Sequence, residues 1–283
     1  MKPLLALLSL TYVLVAADPP KGEPTNAKEA AAQVAAKKAT QDKVVDEKYQ
    51  VWAATLSPEA QAWEKVLQSQ LGNFYLPLHK RDKVAGKSNA WDFVQDDPKL
   101  PRVLLIGDSV SRGYTQPTRV ALAGKANVHR IPTNGGPTKN GTANLAKWLG
   151  TGKWDVIHFN FGLHDLRHME DGKRQVEPAD YEKNLRSLVA DLKKTGAKVI
   201  FATTTPVPEG KLTPQRTFGD VAVYNDIALK VMKENDVAID DLNAAITPTL
   251  AQHQNKADVH FNNEGSATLG KAVVKSISTA LAK

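Results

Sequence analysis

Two hydrophobic patterns alternate along the chain after Leu100. Short runs of apolar and β-branched residues are separated by longer stretches in which apolar positions recur at helical spacing. We predict strands at Arg102–Ile106, Ala126–Ile131, Val156–Phe161, Lys198–Thr203 and Val237–Asp240, and helices near 116–123, 141–150, 179–195, 219–235 and 264–282. Strands that are apolar throughout and alternate with helices predict an α/β fold, a three-layer α/β/α sandwich around a mainly parallel five-stranded sheet.

Upstream of this pattern the chain is helical. Between Val44 and Leu71 the apolar residues recur at helical spacing, and Ser57 followed by Pro58 predicts a helix start. We therefore predict a helical N-terminal extension over residues 44–98, either packed on the following domain or forming a separate binding module. Residues 18–43 are rich in Ala, Lys and Pro, which predicts a linker or a loosely helical tether.

The first residues have the pattern of an export signal. Lys2 precedes an apolar run from Pro3 to Val15, and Ala16-Ala17 offers the small residues that a signal peptidase requires. The run is shorter than the ~20 residues that span a bilayer, so a retained membrane anchor is the weaker interpretation. We expect a signal peptide over residues 1–17, a periplasmic or extracellular location, and no stable membrane insertion after cleavage.

The amino-acid composition excludes some kinds of site and indicates the charge of the protein. The 283 residues carry a formal net charge of +7 and contain no cysteine, which excludes disulfides, thiolate metal sites and cysteine catalysis. The positive balance is typical of a solvated basic surface or of attraction to an anionic polysaccharide. No basic stripe with interleaved aromatics is present, so we expect no nucleic-acid partner.

Four short blocks carry candidate chemistry. They are Gly107-Asp108-Ser109 after the first strand, Asn134-Gly135-Gly136 after the second, Gly162-Leu163-His164-Asp165 after the third, and Asp258-Val259-His260 before the last helix. Strand ends and the loop before the last helix can meet in one cleft at the carboxyl edge of a parallel sheet. Taken alone, Asp108 or Ser109 is equally well interpreted as a helix cap.

In these blocks the chain resembles the SGNH, or GDSL, hydrolases over about residues 99–283. The resemblance implies a flavodoxin-like sheet and a serine hydrolase that needs no cofactor. It makes Ser109 the nucleophile and His260 the base, with the N–H groups of Ser109 and Gly136 in the oxyanion hole. His79, His129, His158 and His253 are the rival histidines.

The chain departs from the family pattern at two positions. The Asn that donates a third oxyanion hydrogen bond is replaced by His164, which either takes over that role or only braces its loop. The acid expected three residues before the histidine is replaced by Ala257, and Asp258 stands two before His260. Either Asp258 completes a triad, or a backbone carbonyl orients the ring in a Ser-His dyad.

Charged residues next to the four sequence blocks are candidates for binding the substrate. Arg112, about one helical turn after Ser109, is a candidate substrate-binding residue, because guanidinium binds carboxylate and sulfate groups. Arg167 has the same chemistry, with local ion pairing as the alternative. His158, His164, Asp165 and His168 raise the question of a metal, but they lack matched spacing on one element, and we predict no metal site.

The sequence therefore predicts a secreted serine esterase that removes acyl groups, acetyl in the first place, from a carbohydrate through an acyl-enzyme on Ser109. One alternative is a carbohydrate sulfatase-like hydrolase on the same site. The other is a non-catalytic carbohydrate-binding protein on a decayed hydrolase fold.

Overall fold

The computed structural model describes residues 24–282, so the predicted signal peptide and the start of the predicted linker lie outside the described residues. The chain forms two units, one up to Glu47 and one from Lys48 onward. The elements in chain order are α1 Pro24–Ala54, α2 Pro58–Gln70, α3 Gly72–Val84, β1 Arg102–Ile106, α4 Ser109–Ala121, β2 Asn127–Arg130, α5 Thr138–Leu149, β3 Val156–Phe159, α6 Pro178–Lys194, β4 Lys198–Ala202, α7 Asp220–Glu234, β5 Ala238–Asp240, α8 Leu242–Ile246, a 3₁₀ turn Thr247–Thr249, α9 Leu250–His253 and α10 Asn263–Ala282.

The sheet is parallel, with the strand order β2-β1-β3-β4-β5. Its register places Leu105 beside Arg130 on one side and beside His158 on the other. This order changes direction between β1 and β3, which makes the carboxyl ends of those two strands the expected place for a ligand. The predicted flavodoxin-like sandwich is confirmed.

Apolar helix faces cover the sheet on both sides. In α10 the residues Leu269, Val273 and Ile277 are buried at a spacing of four, and this helix packs on α4. In α6 the predicted face is buried in full: Tyr181, Leu185, Leu188, Val189 and Leu192. Packing α10 on α4 brings the segment before α10, which carries His260, close to the first residue of α4, which is Ser109.

The extension from Lys48 to residue 98 belongs to the same unit as the sheet. Ser57 caps α2 as predicted, accepting a hydrogen bond from the Ala60 N–H. Leu67, Leu71 and Trp91 form a small apolar cluster, closed by a 2.6 Å hydrogen bond from Trp63 Nε1 to the Trp91 carbonyl. The Thr133 hydroxyl donates to the Gln70 carbonyl at 2.9 Å and Gln116 Nε2 donates to the Asn89 carbonyl at 2.7 Å, so the extension is bonded to segments around the sheet.

Two local predictions were wrong. The helix placed near 116–123 begins at Ser109, because Asp108 caps it and its first turns are buried through polar residues that carry no apolar pattern. The short helices α8 and α9 were not predicted, since four or five residues are too few to show a period. Within residues 24–282 the helices lack an apolar stretch long enough to cross a membrane.

Candidate active site

Ser109 lies at the turn where β1 passes into α4. The Asp108 side chain caps the helix by accepting a 2.9 Å hydrogen bond from the Val110 N–H. The structure records no acceptor within residues 24–282 for the N–H of Ser109, the first residue of the helix. A free N–H at a helix N-terminus is well suited to stabilise negative charge.

A chain of two hydrogen bonds joins Ser109 to Asp258 through His260. Ser109 Oγ lies 2.7 Å from His260 Nε2, and His260 Nδ1 lies 2.7 Å from Asp258 Oδ1. The carboxylate can only accept, so Nδ1 carries the proton and Nε2 accepts from the serine hydroxyl. Partial burial works to raise the pKa of Asp258, but the hydrogen bonds from His260 outweigh it and hold that pKa below its usual value.

A left-handed turn explains how Asp258 reaches the ring from two residues away. Ala257, at the position where the family has its acid, has a φ of +52°, a conformation that costs an alanine roughly 1 kcal/mol. The Asn255 N–H then bonds the His260 carbonyl at 2.9 Å, closing the loop on itself. The tight loop brings the Asp258 carboxylate back to the imidazole, and this geometry favours the triad over the dyad.

Three of the four rival histidines bond elsewhere, and the Nδ1 atom of the fourth, His253, is buried without a recorded hydrogen-bond partner among the described residues. His79 lies 2.8 Å from Glu64 within the extension, His129 lies 2.6 Å from Asp96, and His158 lies 2.9 Å from Asp240 inside the core. Each is therefore held by its own carboxylate. Of the histidines in residues 24–282, only His260 is hydrogen-bonded to Ser109.

A buried arginine holds the serine turn. Arg130, at the end of β2, donates to the carbonyls of Gly107 and Asp108 at 3.2 and 2.8 Å and to Ser111 Oγ at 2.7 Å. Burial lowers its pKa to about 10, so the guanidinium stays charged at neutral pH. These bonds fix the backbone on both sides of Ser109 relative to the neighbouring strand.

Ser109 and His260 open into a cavity of about 480 Å³ that also contains His164 and Arg112. The structure records no hydrogen bond for the His164 ring within residues 24–282, so its N–H is free for a ligand. Burial is the main cause that lowers the pKa of His164, and the nearby Arg216 and Arg167 lower it further against the pull of Asp108. The ring is thus neutral at neutral pH, a hydrogen-bond donor without a charge.

Gly136 is placed differently from the expectation. It does not line the cavity, and its N–H already donates to Asn134 Oδ1 at 2.9 Å. The amide of Asn134 in turn donates to the Tyr75 hydroxyl at 2.8 Å, so α3 of the extension holds this loop. A part for Gly136 in the oxyanion hole stays a prediction, and it requires its present hydrogen bond to open or to be shared.

Asp165 braces the loops behind the site. It is fully buried, and its Oδ1 accepts from the Thr138 N–H at 2.8 Å and from the Thr138 hydroxyl at 2.5 Å. Burial raises the pKa of this carboxyl to about 7, against the effect of the Thr138 bonds. Asp165 lies outside the cavity, in keeping with the structural role that the sequence suggested.

The fold and these blocks match known proteins. The GDSL-like lipase/acylhydrolase family matches residues 105–268, more than half of the chain, and the match includes Ser109, His164 and His260. The chain belongs to this family. As a GDSL-like acylhydrolase it is a serine ester hydrolase, and a comparison with curated protein sequences returned no match.

Several solved structures share the fold of this acylhydrolase. An acetyl xylan esterase, AlAXEase, is 17% identical, with a TM-score of 0.55 over 62% of this chain and 99% of its own. A lipase/acylhydrolase from Enterococcus faecalis is 23% identical, with a TM-score of 0.55 over 63% and 96%. Axe2, an acetylxylan esterase from Geobacillus stearothermophilus, is 18% identical, with a TM-score of 0.52 over 62% and 94%. At these identities the likeness establishes the fold alone.

Sequence reasoning missed three features of the acylhydrolase site. Arg216 lines the cavity from the loop after β4, where no pattern marks it. Phe74 and Tyr75 line it from α3, although the extension lies outside the family match. Arg130 gave one usable signal, because an arginine in a buried strand must find hydrogen-bond acceptors nearby.

Proposed function

We propose that this acylhydrolase is an exported esterase that removes acetyl groups from a carbohydrate through an acyl-enzyme on Ser109. The observation that carries the proposal is the 2.7 Å contact between Ser109 Oγ and His260 Nε2, backed by Asp258 at 2.7 Å. Free serine is a poor nucleophile, and a base at hydrogen-bond distance makes it reactive.

In the first half-reaction Ser109 Oγ attacks the ester carbonyl carbon while its proton passes to His260 Nε2. The negative charge of the tetrahedral intermediate is stabilised by the Ser109 N–H and by the neutral ring of His164. The protonated His260 then gives its proton to the departing sugar hydroxyl. Water, deprotonated by His260, attacks the acetyl-enzyme and releases acetate, which restores the serine.

A polar substrate is favoured by the walls of the cavity. Arg112, Arg167, Arg216 and His164 place charge and hydrogen-bond donors among its apolar lining residues, and covering such groups with a long acyl chain would be costly. The Phe74 side chain is 71% exposed beside the cavity and offers an apolar face to a sugar ring. The acetylxylan esterases among the structural neighbours show that this fold is used by enzymes of that description.

Export is proposed from the pattern of residues 1–17 and remains to be measured. Expression of the full chain in a bacterial host, followed by fractionation and N-terminal sequencing of the mature protein, measures it directly. A mature N-terminus at Asp18 is expected. Retention of Met1 in the cytoplasmic fraction would contradict export.

The catalytic proposal is tested by covalent labelling and acetate release. A fluorophosphonate probe is expected to label Ser109 in the wild type, and Ser109→Ala is expected to lose labelling and at least about three orders of magnitude of acetate release. Asp258→Asn is expected to keep the fold and to lose about 10²- to 10⁴-fold in kcat, as removal of a triad acid does.

Assaying acetate and sulfate release in the same reactions separates the esterase from the sulfatase-like alternative. Ser187→Ala, which removes an exposed serine of α6 away from the cavity, is the control and is expected to retain labelling. Labelling that persists in Ser109→Ala, or release of sulfate without acetate, would contradict the proposal.

A further inference from the structure

The cavity around Ser109 contains an excess of positive charge. Three arginines line it, Arg112, Arg167 and Arg216, while Asp258 is the one carboxylate among the lining residues and is already bonded to His260. The charges of Arg167 and Arg216 both act on His164, which places those two guanidinium groups near the reaction centre.

Within residues 24–282 the structure records neither an acidic partner nor a side-chain hydrogen bond for Arg112 and Arg167, whereas Arg119 and Arg130, which also lack an ion pair, donate to backbone carbonyls. Elsewhere Arg102 pairs with Asp96, Arg174 with Asp220, and Arg186 with Glu182. For Arg112, Arg167 and Arg216 the structure records no ion pair within residues 24–282. The chain contains 30 Asp and Glu residues, but none of them pairs with these arginines in the described residues. Their charges are therefore available to a ligand.

Buried polar atoms in the same groups lack acceptors. The Nε atoms of Arg112 and Arg167 are buried and make no hydrogen bond. An unsatisfied buried donor on a charged group destabilises the fold, and such groups in native proteins call for an explanation. A ligand that accepts from these guanidinium groups supplies one.

Arg112 is held in place by the extension. Its guanidinium lies 5.7 Å from the ring centre of Tyr75 and 5.9 Å from that of Trp91, within the range of cation–π attraction. Arg216 is buried and donates its Nε to the Leu163 carbonyl at 2.8 Å, so it also has a fixed position. A charge fixed in advance loses little conformational entropy when it binds an anion.

We propose that the sugar carrying the scissile ester also carries an oxyanion, a carboxylate or a sulfate, that binds Arg112 and Arg167 while the ester carbonyl lies at Ser109. This inference rests on the proposed esterase function and names its substrate class, an acetylated acidic saccharide. Both groups accept the paired hydrogen bonds that guanidinium donates, whereas a neutral sugar would leave two charges uncompensated. The net charge of +7 adds long-range attraction for an anionic polymer.

The test compares matched substrates on the full-length enzyme. An acetylated uronic-acid oligosaccharide is assayed beside the same compound with its carboxyls reduced to alcohols, and beside an acetylated neutral oligosaccharide with and without sulfate. The wild type is expected to prefer the acidic member of a pair by about 10- to 100-fold in kcat/KM, the value of one or two charged hydrogen bonds. The pair that shows the preference identifies the anion.

Variants locate the effect. Arg112→Gln and Arg167→Gln are each expected to reduce the acidic-to-neutral ratio of kcat/KM by about tenfold, and this ratio cancels general damage to the site. Arg186→Gln, on the surface of α6, is the matched control and is expected to leave the ratio unchanged. Calorimetry with Ser109→Ala gives a readout without turnover, in which the acidic oligosaccharide binds more tightly than its reduced form.

The outcomes separate the two proposals. Equal hydrolysis of acidic and neutral substrates by the wild type would overturn the anion site and leave the esterase intact. Loss of the preference in Arg186→Gln as large as in Arg112→Gln would also overturn it. Failure to label Ser109, with no acetate released from any substrate, would overturn the esterase proposal and the inference that rests on it.

Discussion

The hydrolase domain and the N-terminal extension contribute in different ways to one cavity. The domain supplies Ser109, His164 and His260 from strand ends and from the loop before α10, the places where an open parallel sheet collects ligand-binding residues. The extension supplies Phe74, Tyr75 and Leu78 from a helix that lies outside the family match.

This difference separates the residues that carry out the reaction from the residues that shape the substrate site. Groups that move protons lie in the shared fold, where their geometry is fixed by the sheet and by Arg130. From the extension, Tyr75 accepts a hydrogen bond from Asn134 and lies beside the guanidinium of Arg112. An addition of this kind can reshape a substrate site while leaving the reacting groups in place.

Among the substitutions that test this contrast, the largest change in kcat/KM is expected on substitution of His164, a residue of the hydrolase domain. His164→Ala removes a donor to the developing oxyanion and is expected to lower kcat/KM by about 10²- to 10³-fold, whereas His164→Asn restores a neutral N–H and is expected to stay within about tenfold of the wild type.

Because burial and the arginines lower the pKa of His164, the loss in His164→Ala is expected to be the same from pH 7 to 8. Steady-state kinetics over that range measure it, with His168→Asn as the control from the same segment. An alanine variant as active as the wild type would remove His164 from the oxyanion hole.

A smaller effect is expected in the extension at Tyr75. Tyr75→Phe keeps the ring beside Arg112 but removes the hydroxyl that accepts from Asn134, and the loss of one neutral hydrogen bond predicts a decrease of about fivefold in kcat/KM.

Tyr49→Phe is the matched control. Its hydroxyl bonds Glu64 inside the extension at 2.5 Å, so its removal is expected to lower thermal stability without changing the kinetics. If Tyr75→Phe lost as much activity as His164→Ala, the extension would take part in the reaction itself and not only in shaping the substrate site. If it lost none, the extension would contribute packing alone.

The last effect is expected on stability rather than on activity, in its pH dependence, through Asp165. Its pKa is about 7 in the folded chain and near 3.8 in the unfolded chain, so the fold favours the protonated form. That contribution is complete below about pH 4, declines as the pH rises, and is lost above pH 7.

Asp165→Asn cannot titrate and is expected to show a flatter decline of the urea midpoint between pH 4 and 7 than the wild type. Asp191→Asn, an exposed residue paired with Lys194, is the control that is expected to follow the wild-type curve. Parallel curves for the wild type and Asp165→Asn would contradict the burial argument.

The sequence predicted the sheet more completely than the site. Strands such as β1, in which four consecutive residues are apolar, can be recognised from their own sequence, because a parallel strand buried on both faces is a nearly continuous apolar run. Ser109 and His260 follow from short motifs at strand ends. The link from Asp258 to His260 could not be decided, because it depends on the left-handed backbone at Ala257, which an alanine in a sequence does not reveal.

Other parts of the site depend on contacts between distant segments. The wall formed by Phe74 and Tyr75 arises because α3 packs on the loop at Asn134, and helical spacing in α3 indicates a buried face without saying what covers it. The arginines were visible in the sequence, but the absence of acidic partners is a property of the folded chain. The hydrogen bond of the Gly136 N–H to Asn134 is likewise a matter of loop geometry.

Ser109 and His260 lie far apart along the chain, so the ribosome synthesises them at different times. Ser109 and His260 are separated by 151 positions, and they meet because α10, which follows His260, packs on α4, which begins at Ser109. A nascent chain that has been synthesised as far as β4 contains β1 and both strands beside it. It still lacks His260, the base that activates Ser109. Ester hydrolysis therefore requires α10 to be docked on α4, so its recovery during refolding reports when α10 reaches its place.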